Sequence, residues 1–282
     1  MKKFPMSNET EYSKFRAGKA EEMRRLELQA KSLESSIAKQ VSLLGIKRGV
    51  DVLDAGCGTG SFARTLARIV FPTIVTGVDI DPQFIEEAKR LSEKEGVRNL
   101  DFEVGDIHCL DFPSQTFDLT YCKFVFPHLT NPSDAISELI RVTRKDGHVA
   151  SLDEGGLYVY PSGSLDKFFA LFGKLGQWRK LTRGRSTIDE QDTSAKFASA
   201  GLTEIKVFPL PTFASSAENP NELKKLVSVP QQMIDLYKEE VITNSFMQDE
   251  EYEEGMEELA EWIERPDSFW LVLTILTVGR VG

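Results

Sequence analysis

The stretch Val52-Leu53-Asp54-Ala55-Gly56-Cys57-Gly58-Thr59-Gly60 decides the fold, because a short apolar run leads directly into a glycine-rich turn and then a helical segment. Glycines allow the backbone to approach a ligand closely, and the N-terminus of the following helix presents free N–H groups. The residues from Gly58 to Ala63 also match the dinucleotide pattern G-x-G-x-x-A. The stretch therefore predicts a cofactor site and leaves open which cofactor binds there.

Apolar runs and helical segments alternate on both sides of this turn. Strand candidates cover residues 51–55, 74–80, 100–104, 117–122, 148–153, 203–210 and 268–278. Helical segments cover residues 60–70, 82–95 and 132–144, between the first five of these strands. This alternation predicts right-handed crossovers and a parallel sheet. We therefore expect an α/β fold with a doubly wound, Rossmann-like, seven-stranded sheet that is mostly parallel and has an antiparallel last strand.

Further helical segments lie outside this alternation. Residues 21–44 predict one amphipathic helix, because apolar residues recur on one face and Gly45 follows them. Residues 165–178, 186–200, 220–241 and 248–263 also look helical and lie between the fifth and the last strand candidates. So long a connection exceeds what joining two strands requires, and it predicts a helical elaboration of the core.

Three carboxylates stand at the ends of successive strand candidates: Asp54, Asp79 and Asp106. Ligands of open α/β sheets bind at the carboxyl ends of the strands. Asp54 would repel a pyrophosphate but attract a cationic amino acid. Asp79 is placed for a ribose diol, and Asp106 suits an exocyclic amine such as that of adenine. The three acids therefore favour a ligand that combines an ammonium, a sulfonium, a ribose and an adenine.

In this order the motifs closely resemble those of the class I S-adenosylmethionine-dependent methyltransferases, from about Tyr12 to Arg280. The resemblance implies that the glycine turn holds the methionine part of the cofactor. It also implies that Asp79 binds the ribose hydroxyls, that Ile80 lies against the adenine and that residues 105–107 bind the adenine. The fourth-strand motif departs from the family at Pro127, where a glutamate is common. The cofactor-binding residues implied are Tyr12, Arg25, Asp54, Gly56, Cys57, Gly58, Gly60, Asp79, Ile80, Asp106, Ile107 and Lys123.

Tyr12 and residues 24–30 are similar to the lid of one small-molecule branch of this family, in which a tyrosine and the next helix close over the cofactor. The expected organisation has four parts. Residues 1–45 form the lid helix, and residues 46–211 form the cofactor-binding core, with a substrate loop and helices at 155–200. Residues 212–267 form a helical cap insertion, and residues 268–282 the last strand of the core.

The acceptor side is expected just past the fourth and fifth strands. His128 is the candidate general base if the methyl acceptor is a phenol, a hydroxyl or an acidic carbon, and a plain hydrogen-bonding role stays open. Glu154 and Tyr160 are candidate substrate contacts in a loop expected after strand five. Methyl transfer from a sulfonium has an activated leaving group, so alignment and exclusion of water are the main tasks of the protein.

The expected activity is transfer of the methyl group of S-adenosylmethionine to a small molecule by in-line displacement. One alternative is an NAD(P)-dependent oxidoreductase, although the chain lacks a recognisable Tyr-x-x-x-Lys or comparable hydride-transfer set. Another is a methyltransferase or S-adenosylmethionine-binding regulator that acts on a macromolecule. Residues 124–127 contain no Asn-Pro-Pro-Tyr-like motif, which would favour methylation of a macromolecular amino group.

The amino-acid composition limits the classes of partner that we expect for this chain. With 34 basic and 44 acidic side chains, the net charge of −10 disfavours a nucleic-acid partner. The basic cluster of Arg179, Lys180, Arg183 and Arg185 is interpreted as a solvated turn. No apolar run follows the N-terminal lysines, and residues 269–278 are too few to cross a bilayer, so we expect no membrane segment and a cytoplasmic location. The three cysteines lack paired spacing and no metal site is expected, whereas the oligomeric state is not predicted.

Overall fold

The computed structural model describes residues 18–129, 131–183 and 193–282, so that Tyr12 and Arg185 lie outside the described residues. Its centre is one seven-stranded sheet with the strand order β3-β2-β1-β4-β5-β7-β6. The strands are β1 Val52–Ala55, β2 Val75–Asp79, β3 Leu100–Val104, β4 Phe117–Lys123, β5 Thr143–Tyr160, β6 Thr203–Ser215 and β7 Phe269–Arg280. Strands β1 to β5 pair in parallel, and β7 runs antiparallel to both β5 and β6. The predicted fold class is confirmed.

Helices cover both faces of the sheet. The described helices are α1 Lys19–Ser32, α2 Glu34–Leu43, α3 Ser61–Val70, α4 Pro82–Lys94, α5 Pro132–Val142, α6 Asp166–Arg183, α7 Thr193–Ser199, α8 Pro220–Thr243 and α9 Asp249–Ile263. Buried side chains of α3 and α4 pack on one face of the sheet, and those of α5 and α7 pack on the other. None of the helices in the described ranges combines the length and apolar character that crossing a membrane requires.

The N-terminal helix is broken into two. The sequence predicts one helix over residues 21–44, but α1 ends at Ser32 and α2 begins at Glu34. Leu33, between them, has φ −100° and ψ 7°, and its side chain is only 4% exposed. The one-residue interruption coincides with a buried side chain, so burial of Leu33 outweighs the continuity of the helix.

Strand β5 is much longer than residues 148–153, and the expected loop that follows it is instead strand. It continues to Tyr160 because β7 pairs with it along its whole later half, from Asp153 opposite Ile275 to Tyr160 opposite Phe269. A register shift between Glu154 and Gly156 marks a β-bulge within this pairing. The prediction of a loop here was therefore wrong, and the strand carries the sheet beyond the end of β4.

The helical cap also has different limits from those predicted. Strand β6 continues through residue 215, so the cap insertion begins at α8 and not at residue 212. Helix α6, which was assigned to the core, packs with α8 and α9 in a second hydrophobic core that includes Phe168 and Trp262. The approach is close at Gly255 of α9, where a Cβ atom would lie 2.6 Å from Cδ1 of Leu171. The extended ends of β5 and β7 form the floor of this second core through Val159 and Trp270.

Candidate cofactor and acceptor site

A cavity of about 210 Å³ lies at the carboxyl ends of β1, β2 and β4, under the helices α1, α6 and α8. It brings together most of the residues that the sequence singled out. Those that line it are Arg25, Asp54, Gly56, Cys57, Gly58, Asp79, Ile80, Asp106, Ile107, Lys123, His128 and Glu154. The predicted cofactor residues and the predicted acceptor residues therefore face one continuous space.

The glycine turn shapes one wall of this cavity. Gly56, Gly58 and Gly60 have φ angles of 77°, 53° and 73°, a region that residues with a side chain seldom adopt. A Cβ atom at Gly56 would lie 2.4 Å from Cγ2 of Val125. Gly60 is not among the lining residues, and a Cβ atom there would lie 2.6 Å from Cζ of Phe102. The absence of a side chain at Gly56 thus allows Val125 to pack against the turn. The absence of one at Gly60 allows the start of α3 to pack closely against the sheet.

Asp54 is buried and Lys123 half-buried beside this turn, and their opposite charges influence each other's pKa values. Asp54 is 2% exposed, and its Oδ2 atom has no hydrogen-bond partner in the described part of the chain. Burial raises the pKa of the Asp54 carboxyl to about 7, and the Lys123 ammonium opposes the rise. Burial lowers the pKa of Lys123 to about 8, against the charge of Asp54. The Lys123 Nζ atom lies 5.5 Å from the centroid of the Phe62 ring. Both charges are therefore poorly solvated.

Asp79 is held in place by the backbone around it. Its Oδ2 atom accepts a hydrogen bond of 2.9 Å from the Gly58 N–H, and its Oδ1 atom accepts one of 3.0 Å from the Asp81 N–H. These bonds fix the carboxylate between the glycine turn and the start of α4. Burial nevertheless raises the pKa of Asp79 to about 6, because desolvation outweighs the two N–H donors.

The far end of the cavity has an apolar lining and one carboxylate. Ile80, Phe84 and Ile107 supply the apolar surface, and Asp106 lies beside them. His108 lines the same end, and the sequence reasoning gave it no role. Its position two residues after Asp106 was the available signal, since a donor at that spacing readily turns back to an aspartate in an Asx turn.

Helix α1 closes the cavity on one side. Its residues Glu22 and Arg25 line the wall as a buried ion pair, with Nε of Arg25 2.7 Å from Oε2 of Glu22. Glu27 on the same helix accepts hydrogen bonds from Thr59 Oγ1 at 2.6 Å and from Arg64 Nη2 at 2.7 Å. Because Arg64 is 3% exposed, this contact joins α1 firmly to the segment that carries the glycine turn. Arg25 thus lies in the cavity wall, and the role of α1 as a lid stays a prediction.

The acceptor side combines residues from three parts of the chain. His128 belongs to a short 3₁₀ turn, Phe126–His128, immediately after β4. Glu154 lines the cavity and is paired in the sheet with Thr274 of β7. Side chains along a strand point alternately to the two faces of the sheet. The β-bulge after Glu154 shifts this alternation by one residue, so each later side chain points to the opposite face from the one expected in a regular strand. Tyr160 is placed far along β5, is 51% exposed and does not line the cavity.

The cap supplies three lining residues that the sequence reasoning missed: Arg179 of α6 and Met233 and Tyr237 of α8. Arg179 is only 8% exposed, so the interpretation of its cluster as a solvated turn was wrong for this residue. Its guanidinium lies 5.5 Å from the centroid of the Tyr237 ring and approaches Met233 Sδ with Nη1 at 3.7 Å. The i, i+4 spacing of Met233 and Tyr237 was the available signal, since it places both on one face of a helix.

Known proteins resemble this chain in sequence and in fold. Residues 53–151 match the family model described as "Methyltransferase domain". An uncharacterized methyltransferase, YcgJ of Bacillus subtilis, is 32% identical over 117 residues, which are 42% of this chain and 44% of that protein. The ubiquinone/menaquinone biosynthesis C-methyltransferase UbiE of Bdellovibrio bacteriovorus is 30% identical over 132 residues, 47% of this chain and 56% of that protein. The chain thus matches about half the length of these curated relatives.

The agreement in fold extends further along the chain. The crystal structure of YcgJ from Bacillus subtilis superposes with a TM-score of 0.55 at 22% identity, covering 88% of this chain and all of that one (100%). The match therefore extends well beyond residues 53–151. The family model, the relatives and the strand order agree with the order of motifs from Asp54 to Asp106. Residues 53–151 are therefore identified as a methyltransferase domain, and they lie within a fold shared with solved methyltransferase-like structures.

Proposed function

We propose that this protein is an enzyme that transfers the methyl group of S-adenosylmethionine to a small organic acceptor. One observation carries the proposal. One continuous cavity is lined by the glycine turn and the three strand-end carboxylates and also by His128 and Glu154. Binding at one end therefore brings a ligand next to groups that can orient an acceptor and accept a proton.

The residues present fit the cofactor. A buried carboxylate oxygen of Asp54 lacks a partner in the described residues and suits the ammonium of the methionine part. Lys123 offers a compensating positive charge for the methionine carboxylate, and Asp79 accepts from the ribose hydroxyls. Asp106 accepts from the adenine amine, while Ile80 and Ile107 cover the faces of the ring. When bound, S-adenosylmethionine supplies an electrophilic methyl group on a sulfonium. The protein aligns the acceptor with it and excludes water.

The acceptor end favours a molecule with an apolar body and one reactive polar group. Met233 and Tyr237 supply apolar surface, and His128 and Glu154 supply proton acceptors on the side of the sheet. His128 takes the proton from an acceptor hydroxyl, phenol or acidic carbon. The relative UbiE, named for ubiquinone and menaquinone biosynthesis, supports a small-molecule acceptor of this kind.

The structure adds no support for the two alternative functions. The pyrophosphate of a dinucleotide would lie near the buried carboxylate of Asp54, which repels it. A macromolecular acceptor needs an open approach to the methyl group. Here α1, α6 and α8 all contribute to the cavity wall, and the whole chain carries a net charge of −10.

The proposal is tested first by ligand-induced stabilisation. S-adenosylhomocysteine, the product form of the cofactor, is expected to bind at micromolar strength and to raise the melting temperature, because it binds only the folded state. At about 100 times its dissociation constant the stabilisation would be about 2.7 kcal/mol. NAD and NADP at the same concentration are expected to leave the melting temperature unchanged. A shift with NAD and none with S-adenosylhomocysteine would reverse the assignment.

The affinity for S-adenosylhomocysteine is expected to fall as the pH drops below about 7. Asp54 has a pKa of about 7 in the cofactor-free protein, so acid converts it to the neutral form, which attracts an ammonium less. If only the ionised form binds, the affinity falls by about tenfold per pH unit. Asp79, with a pKa of about 6, steepens the fall at lower pH. Calorimetric titrations from about pH 5.5 to 7.5 measure this dependence.

Adenosine is the matched control for this dependence, because it has the ribose and adenine but no ammonium. Its affinity is expected to fall by only about twofold by pH 6, where Asp79 is half protonated. The variant Asp54→Asn should likewise remove the upper step for S-adenosylhomocysteine. Identical pH profiles for S-adenosylhomocysteine and adenosine would refute the assignment of Asp54 to the ammonium.

A further inference from the structure

His108 contacts Asp106 through both its side chain and its backbone, at the end of the cavity that we assign to the adenine. The Nδ1 atom of His108 lies 2.7 Å from Asp106 Oδ1. The backbone N–H of His108 donates to the same oxygen at 2.9 Å. The His108 side chain is 11% exposed and the Asp106 side chain 32% exposed. The histidine is therefore nearly enclosed, while the carboxylate that it contacts still faces open space.

The partner of Nδ1 determines where the imidazole proton lies. An ionised carboxylate has no hydrogen to donate, so Nδ1 carries the hydrogen and donates it to Asp106. The Nε2 atom is buried and has no partner among the described residues, which favours the neutral ring with its hydrogen on Nδ1. Two N–H donors thus converge on one carboxylate oxygen, Oδ1. The other oxygen, Oδ2, is left to accept from a donor in the cavity.

The backbone around Asp106 places the carboxylate and holds its Oδ1 atom by one hydrogen bond, from the His108 N–H. A hydrogen bond of 2.9 Å from the Cys109 N–H to the Asp106 carbonyl closes a tight turn. This turn fixes the Cα atom of Asp106, and the bond from the His108 N–H to Oδ1 partly restrains the rotation of its side chain. The imidazole restricts that rotation, because turning the carboxylate would break the bond from Nδ1 and leave a buried donor unsatisfied.

We propose that His108 is a positioning residue that orients the carboxylate of Asp106 toward the exocyclic amine of the cofactor's adenine, and so sets the preference for adenine. The inference rests on the proposed function, since it takes S-adenosylmethionine as the ligand. His108 acts through Asp106 and makes no contact with the reacting atoms. Replacing His108 is therefore expected to change the selectivity for the base and not the rate of methyl transfer.

The test compares S-adenosylhomocysteine with S-inosylhomocysteine, which carries an oxygen in place of the adenine amine. That oxygen accepts hydrogen bonds and is repelled by a carboxylate, so the wild-type protein is expected to prefer S-adenosylhomocysteine by about tenfold or more. The variant His108→Leu replaces the ring with an apolar side chain and removes the Nδ1 donor, whereas the backbone N–H that donates to Oδ1 is retained. It is expected to lose most of this preference. His108→Asn places an amide N–H near the position of Nδ1 and is expected to retain it.

Both ligands are titrated calorimetrically into the same preparation, so the ratio of affinities does not depend on the fraction of folded protein. In an Asp106→Asn background, His108→Leu should change the ratio little, because the group that it orients is altered. A wild-type preference in His108→Leu, with Asp106→Asn lowering it, would overturn the inference and leave the proposed function intact. A wild-type protein that binds neither ligand would instead overturn the proposed function, and this inference with it.

Discussion

Replacing His128 with alanine is expected to slow methyl transfer by about 10²–10⁴-fold, because the variant loses the imidazole that we assign as general base. The residue lies on the acceptor side of the cavity, just past β4, and away from the carboxylates assigned to the cofactor. The affinity for S-adenosylhomocysteine should therefore stay nearly unchanged. Formation of S-adenosylhomocysteine in the presence of an acceptor, measured at saturating cofactor, gives the rate.

Two control variants distinguish a loss of catalysis from a loss of cofactor binding. Asp79→Asn should fail in the opposite way, since the ribose hydroxyls lose a charged acceptor and S-adenosylhomocysteine binds about tenfold more weakly or worse. His148→Ala removes an exposed histidine outside the cavity and should change neither quantity. Titration of S-adenosylhomocysteine requires no knowledge of the acceptor. If Asp79→Asn binds like the wild type while His128→Ala loses the cofactor, the two ends of the cavity have been assigned in reverse.

The cofactor end could be predicted from the sequence because its causes are local. Asp54 and Asp79 each follow a short apolar run, and parallel strands end at the same edge of a sheet. Their meeting in one cavity follows from the strand order once the alternation of strands and helices is recognised. The positive φ angles of Gly56 and Gly58 likewise reflect what the turn itself requires. These features can be predicted without knowing how distant parts of the chain pack.

The acceptor end could not be predicted in the same way because its causes are distant in the sequence. Arg179 and Tyr237 meet only because α6 and α8 share a hydrophobic core, and the cluster around Arg179 looks solvated when read alone. Glu154 faces the cavity because of pairing with β7, which lies more than a hundred residues later. The same pairing turned the expected loop at Tyr160 into strand and carried that side chain away from the cavity.

The two hydrophobic cores should nevertheless unfold together. Strands β5 and β7 pass from the main sheet into the floor of the cap, where Val159 and Trp270 are buried with Trp262 of α9. An interface that shares continuous hydrogen-bonded strands has no linker at which one part can melt alone. The cap therefore differs from the core in the residues that it adds to the cavity wall, and not in stability.

Replacing Trp262 with alanine is accordingly expected to lower the free energy of unfolding of the whole chain by about 3–5 kcal/mol. The indole is 1% exposed and packs edge-on against Trp270 at a centroid distance of 5.9 Å, so its removal leaves a large cavity. Leu181→Ala is the control, because that side chain is 74% exposed and should contribute at most about 0.5 kcal/mol. Urea unfolding followed by far-ultraviolet circular dichroism and by tryptophan fluorescence should give one coincident transition in all three proteins. Two separate transitions, with only the first shifted in Trp262→Ala, would show instead that the cap folds independently of the sheet.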